Sequence, residues 1–383
     1  MLTLIVFILL LSILVIVHEL GHYLAAKIIG VKVEEFGLGY PPKLFGKKIG
    51  ETEYTLNALP FGGFVRLYGE NGETTDEIKS KKHKIKKIVD NRAFCARSKL
   101  ERMGILTAGV AMNFVLGVVV ITYLFTQGVV VPTEKVRIQE VLPNTPANFS
   151  GLKVDDVIVS INGVKIKTAE GLIAETKKNA GKSVSLFIQR CGQKQVEKKE
   201  EKCENLTVSL VPREVYPKNE GPMGVAISNL EIKTYKLWEA PFYGTIEAFK
   251  MTGFIAKGIM DVVWQLVSKA TVPKEVAGPI GIYQVTGQVV ALGGLMGILQ
   301  LLGLLSLNLA VVNMLPIPAL DGGRFFLIIL EIFLGRKKIN RIEKVSQGIG
   351  VAIILFLIVF ITLSDLSKLT VIKNFLHTLK LPF

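Results

Sequence analysis

The sequence predicts a polytopic α-helical membrane protein with four transmembrane helices, a membrane-associated β-hairpin and one inserted extracytoplasmic α+β domain. Three observations carry this prediction. Half of the 383 residues are hydrophobic although a fifth are charged, so the apolar side chains must be segregated into spans. Four segments are long enough to cross a hydrocarbon core of about 30 Å, which needs roughly 20 helical residues. A stretch with the composition of a soluble domain, residues 130–213, lies between the second and third of these segments.

The four spans follow the apolar runs of the chain. We place them at residues 1–27, 103–126, 292–334 and 345–364, the third being broken by prolines. The other parts are a loop at 28–102, a connector with an interfacial helix at 214–291, and an amphipathic tail at 365–383. The first loop and the loop after residue 334 are rich in basic residues, so the positive-inside rule places both in the cytoplasm. The inserted domain and both termini then face outside.

Charge and cysteine content limit the partners. The formal net charge of +14 is explained by basic cytoplasmic loops, and the sequence has no nucleic-acid fold signature. We therefore expect a lipid bilayer around the protein and no nucleic acid. Cys95, Cys191 and Cys203 lack the spacing of metal ligands. Cys191 and Cys203 are either a disulfide in an oxidising compartment or two free thiols.

The first span ends in a metal-binding motif. His18 and His22 lie one helical turn apart on one face, so they can hold one metal ion together. Glu19 lies about 100° round the helix, beside the metal. This is the H-E-x-x-H arrangement of zinc hydrolases, in which the glutamate is the general base. A chance match or a signal peptide are the alternatives. However, ionisable residues are costly in a membrane, and neither a preceding basic residue nor a cleavage site is present.

The first loop contains two short segments with the alternation of strands. Thr52–Leu59 and Gly63–Tyr68 flank a turn that begins at Pro60, which predicts a β-hairpin at about 52–68. An ordinary cytoplasmic hairpin is the alternative to one beside or within the membrane. The membrane position is favoured by an apolar surface made of Phe61, Phe64, Val65 and Leu67.

Two histidines leave a catalytic zinc one protein ligand short of the usual three. Asp321 follows Pro316 and Pro318, which break the third span at membrane depth. Broken backbone at that depth must be buried in protein or line a wet cavity. Asp321 is therefore the predicted third ligand, and an N-cap of the next helix is the alternative. Asn113, in the second span, is either a structural hydrogen-bonding residue or part of the active site.

Residues 130–213 resemble a PDZ domain of the bacterial protease-associated kind. The resemblance rests on P-N-T-P-A at 143–147, G-L at 151–152, D-D-V-I at 155–158 and I-N-G at 161–163. PDZ domains take a peptide strand onto a sheet edge. The domain would thus bind a substrate peptide or C-terminus, or gate access to the site, and both roles stay open.

The whole set of motifs resembles the site-2 protease family of intramembrane zinc metalloproteases, and within it the bacterial regulator-of-sigma-E protease group. The motifs are H-E-L-G-H at 18–22, G-V-A-M-N at 109–113, the PDZ-like stretch, G-P-I-G-I at 278–282 and N-M-L-P-I-P-A-L-D-G-G at 313–323. Two departures are Val110, where members often have proline, and one PDZ domain where the enterobacterial type has two.

The resemblance implies one Zn²⁺ ion in the site and a division of roles among the motif residues. Zinc would be held by His18, His22 and Asp321, with Glu19 as general base. Asn313 would lie near the substrate, and the hairpin would offer an edge strand to an unwound substrate helix. The candidate substrate-binding residues are Asn313, Asn113, Gly63, Phe64 and Val65.

The implied function is that of a zinc metalloendopeptidase in the bacterial cell membrane, with its active site near the cytoplasmic side. It would cut within or near the transmembrane helices of single-span proteins, such as anti-sigma factors or signal-peptide remnants, in regulated intramembrane proteolysis. A non-catalytic PDZ-bearing membrane scaffold is the main alternative. A peptidase acting on soluble substrates at the cytoplasmic face is the second.

Overall fold

The computed structural model describes residues 1–70, 90–191, 203–217, 220–269 and 278–368. Two compact units divide the chain: Met1–Leu124 with Lys236–Phe383, and Phe125–Tyr235. In chain order the elements are α1 Leu2–Ile29, β1 Val33–Ile49, β2 Thr52–Leu67, α2 Lys99–Gln127, β3 Val129–Val141, α3 Pro146–Phe149, β4 Val157–Ile161, β5 Val164–Lys165, α4 Ala169–Lys178, β6 Val184–Cys191, β7 Cys203–Leu210, β8 Val225–Lys233, α5 Ala240–Lys269, α6 Pro279–Leu292, α7 Gly294–Asn313, α8 Asp321–Leu334 and α9 Arg336–Lys368.

Within these described residues, four helices are long and apolar enough to cross a membrane, which agrees with the number of predicted spans. They are α1, α2, α7 and the part Arg341–Leu363 of α9. The third predicted span, 292–334, is two helices, because Pro316 and Pro318 lie in a non-helical turn between α7 and α8. The residues from Gly278 onwards begin a helix of their own, α6, with Pro279 at its first position. Asp321 is thus the first residue of a separate helix.

The predicted pairing within residues 52–68 is wrong. The two segments do not form a hairpin with each other, because both pair with residues 35–38 of β1, which lie between them. Phe36, for example, is opposite Val65 on one side and Tyr54 on the other. β1 is hard to recognise in the sequence because glycines interrupt its pattern. Gly37 is required there, because a Cβ atom at this position would lie 2.5 Å from the ring of Phe64.

This pairing leaves residues 63–67 at an outer edge of the sheet. They pair with β1 on one side, and no strand among the described parts of the chain pairs with their other side. The sheet is fixed to the end of α1 by Tyr23, whose hydroxyl lies 2.7 Å from that of Tyr54. An apolar cluster joins the sheet to α1, α2 and α8, and its buried members are Ala26, Val31, Val33, Leu67, Phe94, Ile105, Leu106 and Ile328.

The second unit is a sheet in the order β7-β6-β4-β3-β8, with β5 on β4. This unit is longer than the domain predicted at 130–213. Strand β8 belongs to its sheet, although β8 lies in the segment predicted as a connector. Val225 and Ile227 of β8 pack against the buried core of this sheet. β8 is hard to recognise in the sequence because polar residues follow Val225 and Ile227. The unit therefore occupies Phe125–Tyr235, and the remaining connector is mostly α5, where the interfacial helix was predicted.

Two further expectations concern single features. Cys191 and Cys203 are joined by a disulfide, which decides between the two alternatives left open by the sequence, and Cys95 is a buried free thiol. Of the amphipathic tail predicted at 365–383, residues 365–368 belong to the end of α9. The rest of the tail lies outside the described residues.

Candidate metal centre

Three side chains from two helices converge on one point. His18 and His22 extend from α1, and both residues are 8% exposed. Asp321 extends from the first position of α8, so it is not the N-cap residue, which is Leu320. The Oδ2 atom of Asp321 lies 3.0 Å from His18 Nε2 and 3.2 Å from His22 Nε2. The two Nε2 atoms are 3.2 Å apart. These three atoms form a group that could hold a metal ion.

The spacing and chemistry of these atoms fit zinc. Tetrahedral zinc with bonds of about 2.0–2.1 Å separates two of its ligand atoms by about 3.3 Å. Because the carbonyl oxygen of Ile105 can only accept, His22 must donate its Nδ1–H to it across 2.9 Å. A neutral His22 then has a lone pair at Nε2. Asp321 Oδ2 is buried and has no hydrogen-bond partner in the described structure. Electron-rich atoms this close to one another are stabilised by a cation between them.

The two glycines after Asp321 bring the start of α8 against the turn before it. A Cβ atom at Gly322 would lie 2.3 Å from the carbonyl oxygen of Met314. One at Gly323 would lie 2.2 Å from the carbonyl oxygen of Ile317. Side chains at either position would push the helix away from the proline-containing turn. The D-G-G sequence therefore combines a carboxylate with the close packing that directs it towards His18 and His22 of α1.

A cavity of about 240 Å³ opens beside His18 and Asp321, large enough for several water molecules. Glu19 is half-buried and stands in its wall next to His18. The position suits a group that exchanges protons with a molecule in the cavity without binding the metal. The lining residues are Val15, His18 and Glu19 of α1, Tyr40, Gly62 and Gly63 of the sheet, Leu309 and Asn313 of α7, and Ala319, Leu320 and Asp321.

The predicted substrate-binding residues fall into two groups. Asn313 and Gly63 line the cavity. Asn113 is fully buried, and it is not among the lining residues. Phe64 covers Gly37, and Val65 packs against the apolar cluster under the sheet. The cavity therefore contacts the backbone at the start of the 63–67 edge and not the side chains that follow it.

Several residues around the site had no clear sequence pattern. Ile105 acts through its carbonyl oxygen, which every residue has. Tyr40 reaches the cavity from a strand interrupted by glycine. Gly109 is part of a recognised motif, but its role is visible only in three dimensions: a Cβ atom there would lie 2.4 Å from His22 Nε2 and 2.8 Å from His18 Cε1.

A family model described as peptidase family M50 matches residues 6–357. The chain belongs to peptidase family M50. A protein of Clostridium acetobutylicum is 34% identical to this M50 peptidase over 355 residues, 92% of this chain and 94% of that protein. The zinc metalloprotease RasP of Shouchella clausii is 31% identical over 435 residues, 96% and 99% of the two chains. The regulator of sigma-W protease RasP of Bacillus subtilis is 29% identical over 436 residues, again 96% and 99%.

Membership in this family and the four apolar helices identify a multi-pass membrane protein that is a zinc metalloprotease of the site-2 type. The M50 peptidase is thus an enzyme with zinc as its cofactor, in agreement with the histidine and aspartate group. The alternative of a non-catalytic membrane scaffold does not agree with these findings.

Proposed function

We propose that this M50 peptidase cuts peptide bonds within or near the transmembrane helices of single-span membrane proteins. In this proposal His18, His22 and Asp321 are the zinc ligands and Glu19 is the general base. The observation that carries it is the convergence of the three ligand atoms at 3.0–3.2 Å, beside a cavity that Glu19 also lines.

The chemistry divides between the metal and the protein side chains. His18, His22 and Asp321 would hold zinc, which when bound would supply polarisation of a peptide carbonyl and a lowered pKa of a water molecule. Glu19 takes a proton from the attacking water on its carboxylate and passes it to the nitrogen of the leaving amine. Asn313 lines the same cavity, and its amide N–H donates to the carbonyl oxygen of the substrate. The buried imidazoles hold their positions throughout.

The sheet edge supplies partners for an unwound substrate. A helical span hides its carbonyl groups in hydrogen bonds, so it must open locally before water can attack. Residues 63–66 have no strand partner on their outer side in the described structure, so this side can pair with an added strand, whereas both backbone groups of Leu67 are bonded to Glu70. A Cβ atom at Gly63 would lie 3.4 Å from Glu19 Cγ, so this edge begins beside the catalytic carboxylate. Phe64 and Val65 contribute through their backbone, and their side chains support the strand from behind.

The second unit is, in this proposal, an extracytoplasmic PDZ domain that binds a peptide or C-terminus or gates the site. Its motif series and its sheet with two short helices support this assignment. The positive-inside rule supports the orientation: loop 28–102 is cytoplasmic, and so is the basic stretch at the start of α9. The active site, at the end of α1, then lies near the cytoplasmic side of a bacterial cell membrane.

The name of one relative points to a substrate class. RasP of Bacillus subtilis is the regulator of sigma-W protease. We extend this to anti-sigma factors, and to signal-peptide remnants, as substrates in regulated intramembrane proteolysis.

The test is proteolysis by purified protein in lipid vesicles containing a single-span substrate tagged at both ends. We expect mass spectrometry to place the cut within or beside the span. Glu19→Gln should lower the rate by about 10²–10⁴-fold, the usual range for loss of a general base. A substrate span with glycine or proline near the cut should be cleaved faster than one made of leucine. Equal cleavage of both spans, or faster cleavage of a soluble peptide, would contradict the proposal.

A further inference from the structure

One face of α2 contacts both imidazole rings of the metal centre. Ile105, Gly109 and Asn113 follow one another at intervals of four residues, so they lie along one side of the helix. The Ile105 carbonyl oxygen accepts from His22 Nδ1, and Gly109 leaves room for the two rings. Asn113 ends this row with its Nδ2 atom 3.4 Å from His18 Nδ1. Each histidine thus has its Nδ1 atom against α2.

Asn113 is placed to face the protein interior and not the substrate. It is fully buried and does not line the cavity. Its backbone is held by α7, where the buried Ser306 donates a 2.7 Å hydrogen bond to the Asn113 carbonyl oxygen. Its side-chain Oδ1 is buried without a hydrogen-bond partner in the described parts of the chain. Buried polar atoms without a hydrogen-bond partner are rare in folded proteins, so each one is expected to have a specific reason.

The chemistry of a metal-binding histidine supplies that reason. A neutral histidine that binds a metal through Nε2 carries its proton on Nδ1, and this proton needs an acceptor. With Nδ2 facing His18 Nδ1, Asn113 would instead favour the proton on Nε2. A half-turn of the amide exchanges its two ends and places Oδ1 3.4 Å from His18 Nδ1, at the present Nδ2 position.

Asn313 is the other amide near this nitrogen, 3.5 Å away. Its Nδ2 atom is also 3.3 Å from His18 Nε2, and the residue lines the cavity. Asn313 therefore stands on the side of the metal and substrate, whereas Asn113 stands behind the ring. The two amides have different surroundings and suit different tasks.

We infer that Asn113 is a positioning residue whose side-chain oxygen accepts the Nδ1–H of His18, so that His18 presents its Nε2 lone pair to zinc. The Ile105 carbonyl does the same for His22. This inference rests on the proposed function, because it takes His18 as a zinc ligand. It also assigns Asn113 to the support of the metal and not to substrate binding.

The test compares the zinc affinity of purified variants, measured by competition with a chelator and without substrate. Asn113→Leu removes both ends of the amide and should weaken zinc binding about 10–100-fold, as loss of such a partner usually does. Asn113→Asp can accept but cannot donate, so it should bind zinc within about threefold of wild type. Ser306→Ala is the matched control. It removes a hydrogen bond to the same residue but leaves the amide, and its zinc affinity should be unchanged.

Three outcomes would overturn the inference. If Asn113→Asp is folded but loses zinc as Asn113→Leu does, the amide acts as a donor. If Asn113→Leu keeps the wild-type zinc affinity and only cleavage falls, Asn113 serves the substrate. If Ser306→Ala weakens zinc binding equally, helix packing is responsible. His18→Ala separates this inference from the proposed function, because retention of zinc by that variant would refute the ligand assignment itself.

Discussion

At the level of single residues, small side chains decide where the two imidazoles can lie. The backbones of α1 and α2 touch, since a Cβ atom at Gly21 would lie 2.3 Å from the carbonyl oxygen of Ala108. Gly109, the next residue of α2, packs directly against the rings of His18 and His22. Close approach of small residues is a common way for membrane helices to associate. Here it also places the helix that carries His18 and His22 against the helix whose Ile105 carbonyl accepts from His22.

Gly109→Ala tests this arrangement. The added methyl group would overlap His22 Nε2 at 2.4 Å, so the rings must move from the positions that face Asp321. We expect zinc affinity to fall at least tenfold, by analogy with other changes behind metal ligands, and cleavage to fall with it. Gly104→Ala is the matched control on the same helix, because a Cβ atom there meets nothing within 4 Å. Equal zinc affinity in both variants would contradict the account.

The sequence predicts the residues whose chemistry is rare at their position and misses those that act by shape or backbone. His18, Glu19 and His22 have a diagnostic spacing, and Asp321 follows a helix break at membrane depth. The structure brings the two histidines and the aspartate together. Ile105 could not be predicted, because a carbonyl oxygen has no sequence pattern. The different surroundings of Asn113 and Asn313 could not be predicted either, because they depend on which side of the His18 ring each amide lies.

At the level of helices and strands, a buried ion pair joins α2 to α8. Arg102 Nη2 lies 2.8 Å from Glu331 Oε2, and the two side chains are 10% and 6% exposed. Arg102 precedes Ile105 by one turn, and Glu331 lies on the helix that begins with Asp321. The pair therefore connects the helix that contacts His22 to the helix that carries Asp321.

Removing one partner of this pair should destabilise the protein strongly, because the other charge is left buried. We expect Arg102→Met to lower the free energy of unfolding by about 3–5 kcal/mol, and a second change, Glu331→Leu, to restore most of it. Thermal unfolding in detergent would measure both. Lys250→Met, which breaks the exposed Lys250–Glu247 contact, should change stability by at most about 1 kcal/mol. If Lys250→Met lost as much free energy of unfolding as Arg102→Met, the prediction would be contradicted.

Glu51 connects the turn between β1 and β2 to the rest of its unit. It accepts from Lys27 across 2.8 Å and also from Arg92. These two cations lower the pKa of Glu51 from its ordinary value of 4.5 to about 2. A depressed carboxyl pKa stabilises the folded state above the unfolded pKa, and this stabilisation disappears as the pH falls through the folded value.

The stability difference between wild type and Glu51→Gln should therefore be largest above about pH 4.5 and shrink towards pH 2. Protease cleavage at the turn between β1 and β2, followed over this pH range, would measure it. The turn is exposed, so we expect a modest effect that is screened by salt. A difference that grows as the pH falls would contradict the assigned contacts.

Secondary structure is predictable here wherever composition or periodicity is strong. The four spans are predominantly apolar, and the described part of the chain has four helices of this kind. β1 and β8 escape prediction for physical reasons: glycines needed for close packing interrupt one, and polar residues at a sheet edge interrupt the other. The error in pairing follows directly, because the two predicted segments lacked the strand that lies between them.

For the whole molecule, the charge distribution along the chain predicts an orientation in the membrane. The positive-inside rule predicts that the second unit faces out and the start of α9 faces the cytoplasm. Single cysteines at the exposed positions Phe149 and Lys338 would test this. With a membrane-impermeant maleimide, Phe149→Cys should be labelled in intact cells, and Lys338→Cys only after the membrane is opened. The reverse pattern would refute the orientation.

The measurement that tests the central claim most directly is the zinc content per chain of three purified proteins. Wild type should hold one zinc ion. Glu19→Gln should also hold one, because Glu19 lines the cavity and, in the proposed function, is the base and not a ligand. Asp321→Ala should lose zinc under the same dialysis, because its carboxylate oxygen lies 3.0 and 3.2 Å from the two histidine nitrogens. Zinc retained by Asp321→Ala as tightly as by wild type, or lost from Glu19→Gln, would contradict the account.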